Sequence, residues 1–209
     1  MGKLGTMTQA EGSGAPHIFW HTSQVTPQLR QQHLGQQAAT VWLTGLSGAG
    51  KSTLACALEQ QLIRAGRIAY VLDGDNLRHH LNRDLGFTPG DRQENIRRSA
   101  EVARLMNDAG LFVICAFISP LRSDRELARH IIGADNFVEV YVSTPCAVCE
   151  QRDPKGLYQK ARAGLIPEFT GVSAPYEVPL EPAMSLDTGE LSLQQACEQM
   201  YQHLSRRFL

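Results

Sequence analysis

The sequence predicts an α/β domain: a parallel five-stranded sheet with helices on both faces and a lid segment. Three observations carry this. Short β-branched apolar runs alternate with helix-periodic stretches closed by glycine along most of the chain. The strand candidates are apolar on both faces, as in sheets covered by helices on both sides. One irregular stretch, from about residue 153 to 180, is rich in Gly, Pro and charge and too long for an ordinary connector, so it reads as a functional lid.

Residues 1–16, "MGKLGTMTQAEGSGAP", are glycine-rich and polar and read as a disordered leader. Residues 17–209 read as a single domain, of a size that can bury a real core. Its first part, "HIFWHTSQVTPQLRQQHLGQQ", carries Trp20 and a helix-compatible stretch, an arm packed on the domain. "ATVWLTG" is the first buried strand, and "KSTLACALEQQLIRAG" the helix after it, stopped at Gly66. "RIAYVLDGD" is a second buried strand ending in two acids, and "DRQENIRRSAEVARLMNDAG" a long amphipathic helix. "LFVICAFI" (strand), "RSDRELARHII" (helix), "FVEVYVS" (strand) and "PCAVCEQR" (short helix) follow. The lid contains the helical-looking "KGLYQKARAG", after which "AMSLDT" is the fifth strand and "SLQQACEQMYQHLSRRF" the last helix.

Charge and composition narrow the functions. A net charge of −1 gives no electrostatic case for a nucleic-acid or membrane partner. No apolar run approaches the ~20 residues that span a bilayer, and the N-terminus lacks the basic-then-apolar design of a signal peptide, so the expected address is cytoplasmic. Arginine far outnumbers lysine, and arginine forks suit phosphate and sulfate oxygens. Cys115 and Cys197 lie in apolar surroundings, as buried thiols do. Cys146 and Cys149 form a CxxC that could mean redox or zinc chemistry, but no second CxxC or HxxxH accompanies it, and Cys149 fits the apolar face of a helix.

The chemistry begins at Gly45-Leu46-Ser47-Gly48-Ala49-Gly50-Lys51-Ser52, a full GxxxxGK[ST] match, with Thr53 next, a strand before it and a helix after. Glycines let backbone N–H groups turn inward around a phosphate, and the helix N-terminus adds its positive end. Lys51 then bridges the β- and γ-phosphates of a nucleoside triphosphate and the Ser52 hydroxyl binds Mg²⁺. Fold and motif together describe a P-loop NTPase-type sheet. Asp73 and Asp75 follow at the C-terminal edge of the second strand, where open parallel sheets bind ligands. One acid can orient a Mg²⁺-bound water while the other accepts a proton from the attacking hydroxyl; the blander reading is a turn-forming Asp-Gly. A GTPase would want NKxD, which is absent, and a motor or transport ATPase a larger apparatus than 209 residues give. A small-molecule kinase fits. "GFTPGDRQENIRR" supplies an acceptor side: Phe87 for a ring, Arg92 and Asn95 for an anionic group, with Arg97 and Arg98 read as a solvated helix face.

With GLSGAGKST, LDGDNLRH, LNRDLGF, DRQENIRR, FISPLR, RDPKGLYQKARAG and FTGVSAPYEVP in this order, and FWHTSQVT before them, the chain resembles the adenylylsulfate kinase (APS kinase) family over nearly all of its length beyond the leader. The resemblance implies ATP-dependent phosphorylation of the ribose 3′-hydroxyl of adenylyl sulfate (APS) to 3′-phosphoadenylyl sulfate (PAPS), in sulfate assimilation, with Mg²⁺ as cofactor. It places Asp75, Asn76, Leu77 and Arg78 at the acceptor, Phe87 and Phe169 on the two faces of its adenine, and Arg92 and Asn95 at its phosphosulfate and ribose. Ile118 and Ser119 line the same pocket, Lys155 belongs to a lid closing over the ligands, and Arg152 helps clamp the ATP base. Ser119 is also the family's annotated phosphoserine position; because in-line attack needs no covalent enzyme, direct transfer is expected, with Asp75 as base and Asp73 on the Mg²⁺ water, or the two acids exchanged. His80 stands where the family usually has glycine. The resemblance further implies a homodimer and allows association with a separate ATP sulfurylase.

Overall fold

Five short apolar runs form the sheet, and the segments between them form the helices. The structure is a computed structural model that describes residues 18, 19 and 21–209. The leader and Trp20 therefore lie outside the described residues. In chain order the elements are α1 (Pro27–Leu34), β1 (Thr40–Thr44), α2 (Lys51–Arg64), β2 (Ala69–Asp73), α3 (Gly74–His79), α4 (Pro89–Asp108), β3 (Phe112–Ala116), α5 (Arg122–Ile132), β4 (Phe137–Val142), α6 (Cys146–Arg152), α7 (Leu157–Arg162), β5 (Met184–Leu186) and α8 (Leu193–Ser205). The sheet order is β2-β3-β1-β4-β5, and every pairing is parallel.

β1 lies at the centre and is buried along its whole length. Its alternation divides the core in two, because successive strand residues face opposite sides. Val41 and Leu43 join one layer with Leu54, Leu58 and Leu62 of α2 and Met200 and Leu204 of α8. Trp42 joins the other with Ile96, Ala100 and Ala103 of α4 and Ala128 and Ile132 of α5, stacking on Phe117 at 5.0 Å between ring centroids. Each fully buried leucine or phenylalanine contributes about 1.5–3 kcal/mol relative to exposure.

Local chemistry sets the helix ends. Thr88 caps α4 by accepting from Asp91 N–H, with proline in the first turn. Ser192 and Gln195 close a capping box on α8. α1 buries none of its residues and is held by polar side chains: Arg30 in mid-helix donates to the Asp108 carbonyl, and Gln36 just beyond its end bonds the Ile68 and Gly110 carbonyls.

Two expectations change. β2, read as a buried strand, is a sheet edge with Tyr70 55% exposed. Its alternation gave no warning, since the crossover that places β3 between β1 and β2 is a long-range choice. And the Asp-Gly after β2 is not a plain turn but the start of α3. That helix ends at His79, and His80 has φ −129°, ψ −87°, so histidine in place of glycine there does not require a positive φ. No described helix is long and apolar enough to cross a membrane.

Candidate active site

The donor half is built where β1 turns into α2. Gly45, Gly48 and Gly50 all have positive φ, at 151°, 77° and 94°. Packing demands the first two as well: a Cβ on Gly45 would stand 2.5 Å from the Val142 carbonyl oxygen, and one on Gly48 2.9 Å from that of Cys149. The loop is braced from behind. Thr188, after β5, donates to the Ala49 carbonyl at 2.9 Å and bonds Thr144 at 2.9 Å. Arg152 grips Thr188 at Oγ1 (2.7 Å) and at its carbonyl (2.6 Å), and Tyr158 of α7 donates to the Ser47 carbonyl at 3.0 Å. Lys51 is 8% exposed and donates to the carbonyls of Gly45 (2.9 Å) and Leu46 (2.7 Å). Burial, opposed by nearby Cys149 and reinforced by Lys155, brings its amine down to about 8.

Asp73 ends β2 and has both carboxylate oxygens engaged. Oδ1 accepts the N–H groups of Asp75 and Asn76 as the cap of α3, and Oδ2 accepts from Ser52 Oγ at 2.6 Å. That bond joins the phosphate loop to the acidic strand end. Asp75, one residue into α3, faces outward and pairs with Lys155 from the segment before α7. Thus α3 sets the two acids apart: one locked into the scaffold, the other presented on its first turn.

The acceptor segments gather on the same side. Arg78 lies over the Phe87 ring at 4.5 Å and donates to the Leu85 and Gly86 carbonyls. Arg92 reaches three places: its Nε to the Phe87 carbonyl (2.8 Å), Nη1 to Thr170 Oγ1 (3.2 Å) and Nη2 to the Glu168 carbonyl (3.0 Å). It therefore bridges the chain beside Phe87 to the chain on both sides of Phe169. The two rings differ in setting. Phe87 is 66% exposed, whereas Phe169 is buried edge-on against Tyr158 at 5.0 Å. Asn95 is buried on α4 and accepts from Asn82 Nδ2 at 3.0 Å, and Asn82 Oδ1 is itself buried without a protein partner. Asn76 and Leu77 lie on α3 beside Arg78. Ile118 accepts from Thr44 Oγ1 at its carbonyl. Ser119 is buried, has φ 37°, and its Oγ accepts from Trp42 Nε1 at 3.2 Å. Arg97 and Arg98 pair with Glu94, and Arg98 also with Asp84, on the outer face of α4.

The site thus joins a phosphate loop at the C-terminal end of the central strand to an acid pair and an aromatic-arginine wall. The adenylylsulphate kinase family model matches residues 37–187. The chain belongs to the adenylylsulphate kinase family. It is 52% identical over 192 residues to an adenylyl-sulfate kinase of Staphylococcus epidermidis, covering 92% of this chain and 96% of that protein. With an adenylyl-sulfate kinase of Shewanella amazonensis the identity is 54% over 188 residues, covering 90% and 95%. The solved APS kinase of Mycobacterium tuberculosis, in complex with AMPPNP and APS, superposes with a TM-score of 0.78 at 49% identity, covering 81% of this chain and 98% of that one.

For an adenylylsulphate kinase the segment 153–180 divides at Phe169. Residues 153–168 hold α7 and reach the rest of the domain through Tyr158, Lys155, the Arg162–Glu150 pair and the Glu168 carbonyl bonded by Arg92. Residues 169–178 are tied down: Tyr176 OH bonds Thr44 Oγ1 at 2.9 Å, and Glu177 N–H donates to the Pro120 carbonyl at 2.9 Å. The CxxC cysteines serve packing: Cys149 is buried and its thiol donates to the Thr144 carbonyl, while Cys146 donates to that of Gly171. Burial raises the Cys149 thiol and pushes Cys115 well above the usual range. Cys115 and Cys197 are buried as expected.

Sequence reading overlooked Asn82, Thr144, Tyr158, Thr188 and Arg125. Tyr158 and Asn82 stand inside recognisable blocks, DPKGLY and LNRDLGF, so a signal existed. Thr144 and Thr188 are ordinary residues at strand ends, and only the fold brings them behind the phosphate loop.

Proposed function

We propose that the chain transfers the γ-phosphoryl group of ATP to the ribose 3′-hydroxyl of adenylyl sulfate, giving PAPS and ADP. The observation that carries this is the 2.6 Å bond from Ser52 to Asp73, which seats the acid pair directly against the phosphate loop. Lys51 and the loop N–H groups hold the β- and γ-phosphates, and Thr53 and Arg152 complete the ATP side. Asp75 accepts the proton of the attacking hydroxyl. Asp73 is the poorer base because its oxygens are already taken up by two backbone N–H groups and the Ser52 hydroxyl. Asp75 has only Lys155 to release, and Lys155 moves to phosphate as the lid closes.

The hard oxygens of Ser52 and Asp73 suit Mg²⁺, which keeps most of its waters and takes few protein ligands. Ser52, and Asp73 through a water, would hold the ion, which would supply neutralisation of the charge that develops in phosphoryl transfer. Arg78, Arg92, Asn95, Asn76, Leu77, Ile118, Phe87 and Phe169 hold adenylyl sulfate. Ser119 is a wall residue: a buried hydroxyl already bonded to an indole N–H is poorly placed to attack a phosphorus. Transfer is direct.

A coupled ADP-release assay tests this, with adenylyl sulfate set against nucleosides and gluconate and the product mass checked for one added phosphate. Release with gluconate or a nucleoside but not with adenylyl sulfate would overturn the proposal. The proposed setting is the cytoplasm, and the proposed unit a homodimer able to associate with a separate ATP sulfurylase. Sedimentation of the purified chain, alone and with a sulfurylase, checks the homodimer and the association.

A further inference from the structure

We infer that Arg125 is a positioning residue for the transfer, a tie that fixes the acceptor wall at Ser119 to the fixed root of the lid at Glu177. Arg125 stands on the first turn of α5, and its side chain is 3% exposed. Its three nitrogens reach three different segments. Nε donates to Glu139 Oε1 of β4, Nη1 to the Ser119 carbonyl and Nη2 to the Glu177 carbonyl, each at 2.7 Å. The guanidinium also lies 5.8 Å from the Tyr176 ring, whose hydroxyl bonds Thr44 at the end of β1.

The geometry held in this way is unusual at one point. Ser119 has φ 37°, which a non-glycine residue adopts only when its surroundings hold it there. Its carbonyl is gripped by Arg125 and by Thr44 Oγ1 (3.3 Å), and its Oγ by Trp42. On the other side Glu177 is fixed by Pro120, by the Arg122 N–H through its carboxylate (2.7 Å) and by Arg125. The planar fork gives each of three separated acceptors its own nitrogen, a spread that a compact ammonium cannot match, and its charge is balanced by Glu139. Arg125 therefore acts through the Ser119 and Glu177 main chains, and through Tyr176, on where the acceptor sits beneath the lid.

The inference rests on the adenylyl sulfate reading, so wild-type turnover of that substrate is measured first. Arg125→Ala and Arg125→Lys are then assayed for KM and kcat toward adenylyl sulfate at saturating ATP, alongside affinity for a non-hydrolysable ATP analogue and the thermal midpoint. Misplacing a bound reactant by an ångström costs about 10²-fold, and that fall is expected in kcat/KM for adenylyl sulfate in both variants. Analogue affinity stays within about twofold, since the phosphate loop is untouched. Ethylguanidinium restores part of the Arg125→Ala activity, whereas lysine, a single ammonium, does not replace the fork. A kcat/KM near wild type, or a parallel loss of analogue affinity, would overturn the assignment. If Arg125→Ala does not fold, Arg125→Lys carries the test alone, and an unchanged kcat/KM for adenylyl sulfate there also overturns it. A wild-type enzyme idle with adenylyl sulfate would instead refute the proposed function itself.

Discussion

Lys51 makes nucleotide binding a proton-uptake reaction above neutral pH. Its amine is buried and held at about 8 rather than 10.5, chiefly by desolvation. At about 1.4 kcal/mol for each factor of ten in acidity, folding penalises the ammonium by on the order of 3 kcal/mol relative to the unfolded chain. The unfolded chain keeps the proton up to its ordinary value, so the fold bears the full cost of the ammonium below about pH 8. Between about 8 and 10.5 the folded state has shed the proton and the unfolded state has not, so nucleotide-free stability rises with pH across that window. Triphosphate reverses the preference, because anionic oxygens beside the amine favour its charged form. Binding of a non-hydrolysable ATP analogue should therefore take up about 0.1 proton at pH 7 and about 0.8 at pH 8.5. Calorimetry in two buffers of different ionisation enthalpy reads this directly, with Lys51→Arg as reference because a guanidinium does not deprotonate in this range. Buffer-independent heats at pH 8.5 in the wild type, or equal uptake in Lys51→Arg, would refute the reasoning.

Asp75→Asn should lower kcat by about 10²–10⁴, the worth of a positioned base, with analogue binding unchanged; a rate near wild type would remove Asp75 from that role. Ser119→Ala leaves the Trp42 N–H without its acceptor and should cost about 1–3 kcal/mol of stability, as an unpaired buried donor does, while direct transfer continues; complete loss of turnover, with trapped phosphoserine in the wild type, would restore the covalent route. Hydrogen exchange across residues 153–168 should slow when both nucleotides bind, whereas residues 169–178 are protected beforehand by their ties to Thr44 and Pro120. Identical exchange with and without ligands over 153–168 would remove the lid.

Local pattern and local chemistry are what sequence can carry alone. The five strands, the helices other than α3 and the phosphate loop were legible, because apolar period, glycine stops and GxxxxGK[ST] act over a few residues. Even the split between solvated Arg97 and Arg98 and inward Arg92 could be read from spacing on α4. Strand order was not legible, and so β2 was taken as buried when the crossover makes it an edge. Nor could residue types distinguish the acids: Asp73 becomes a cap and a Ser52 partner, and Asp75 stays free of both, only once α3 forms between β2 and the acceptor segments. Arg125 shows the limit most clearly. In sequence it is one charge among several on an amphipathic helix. Its role exists because a parallel sheet brings Ser119, Glu139 and Glu177, distant along the chain, within reach of one fork.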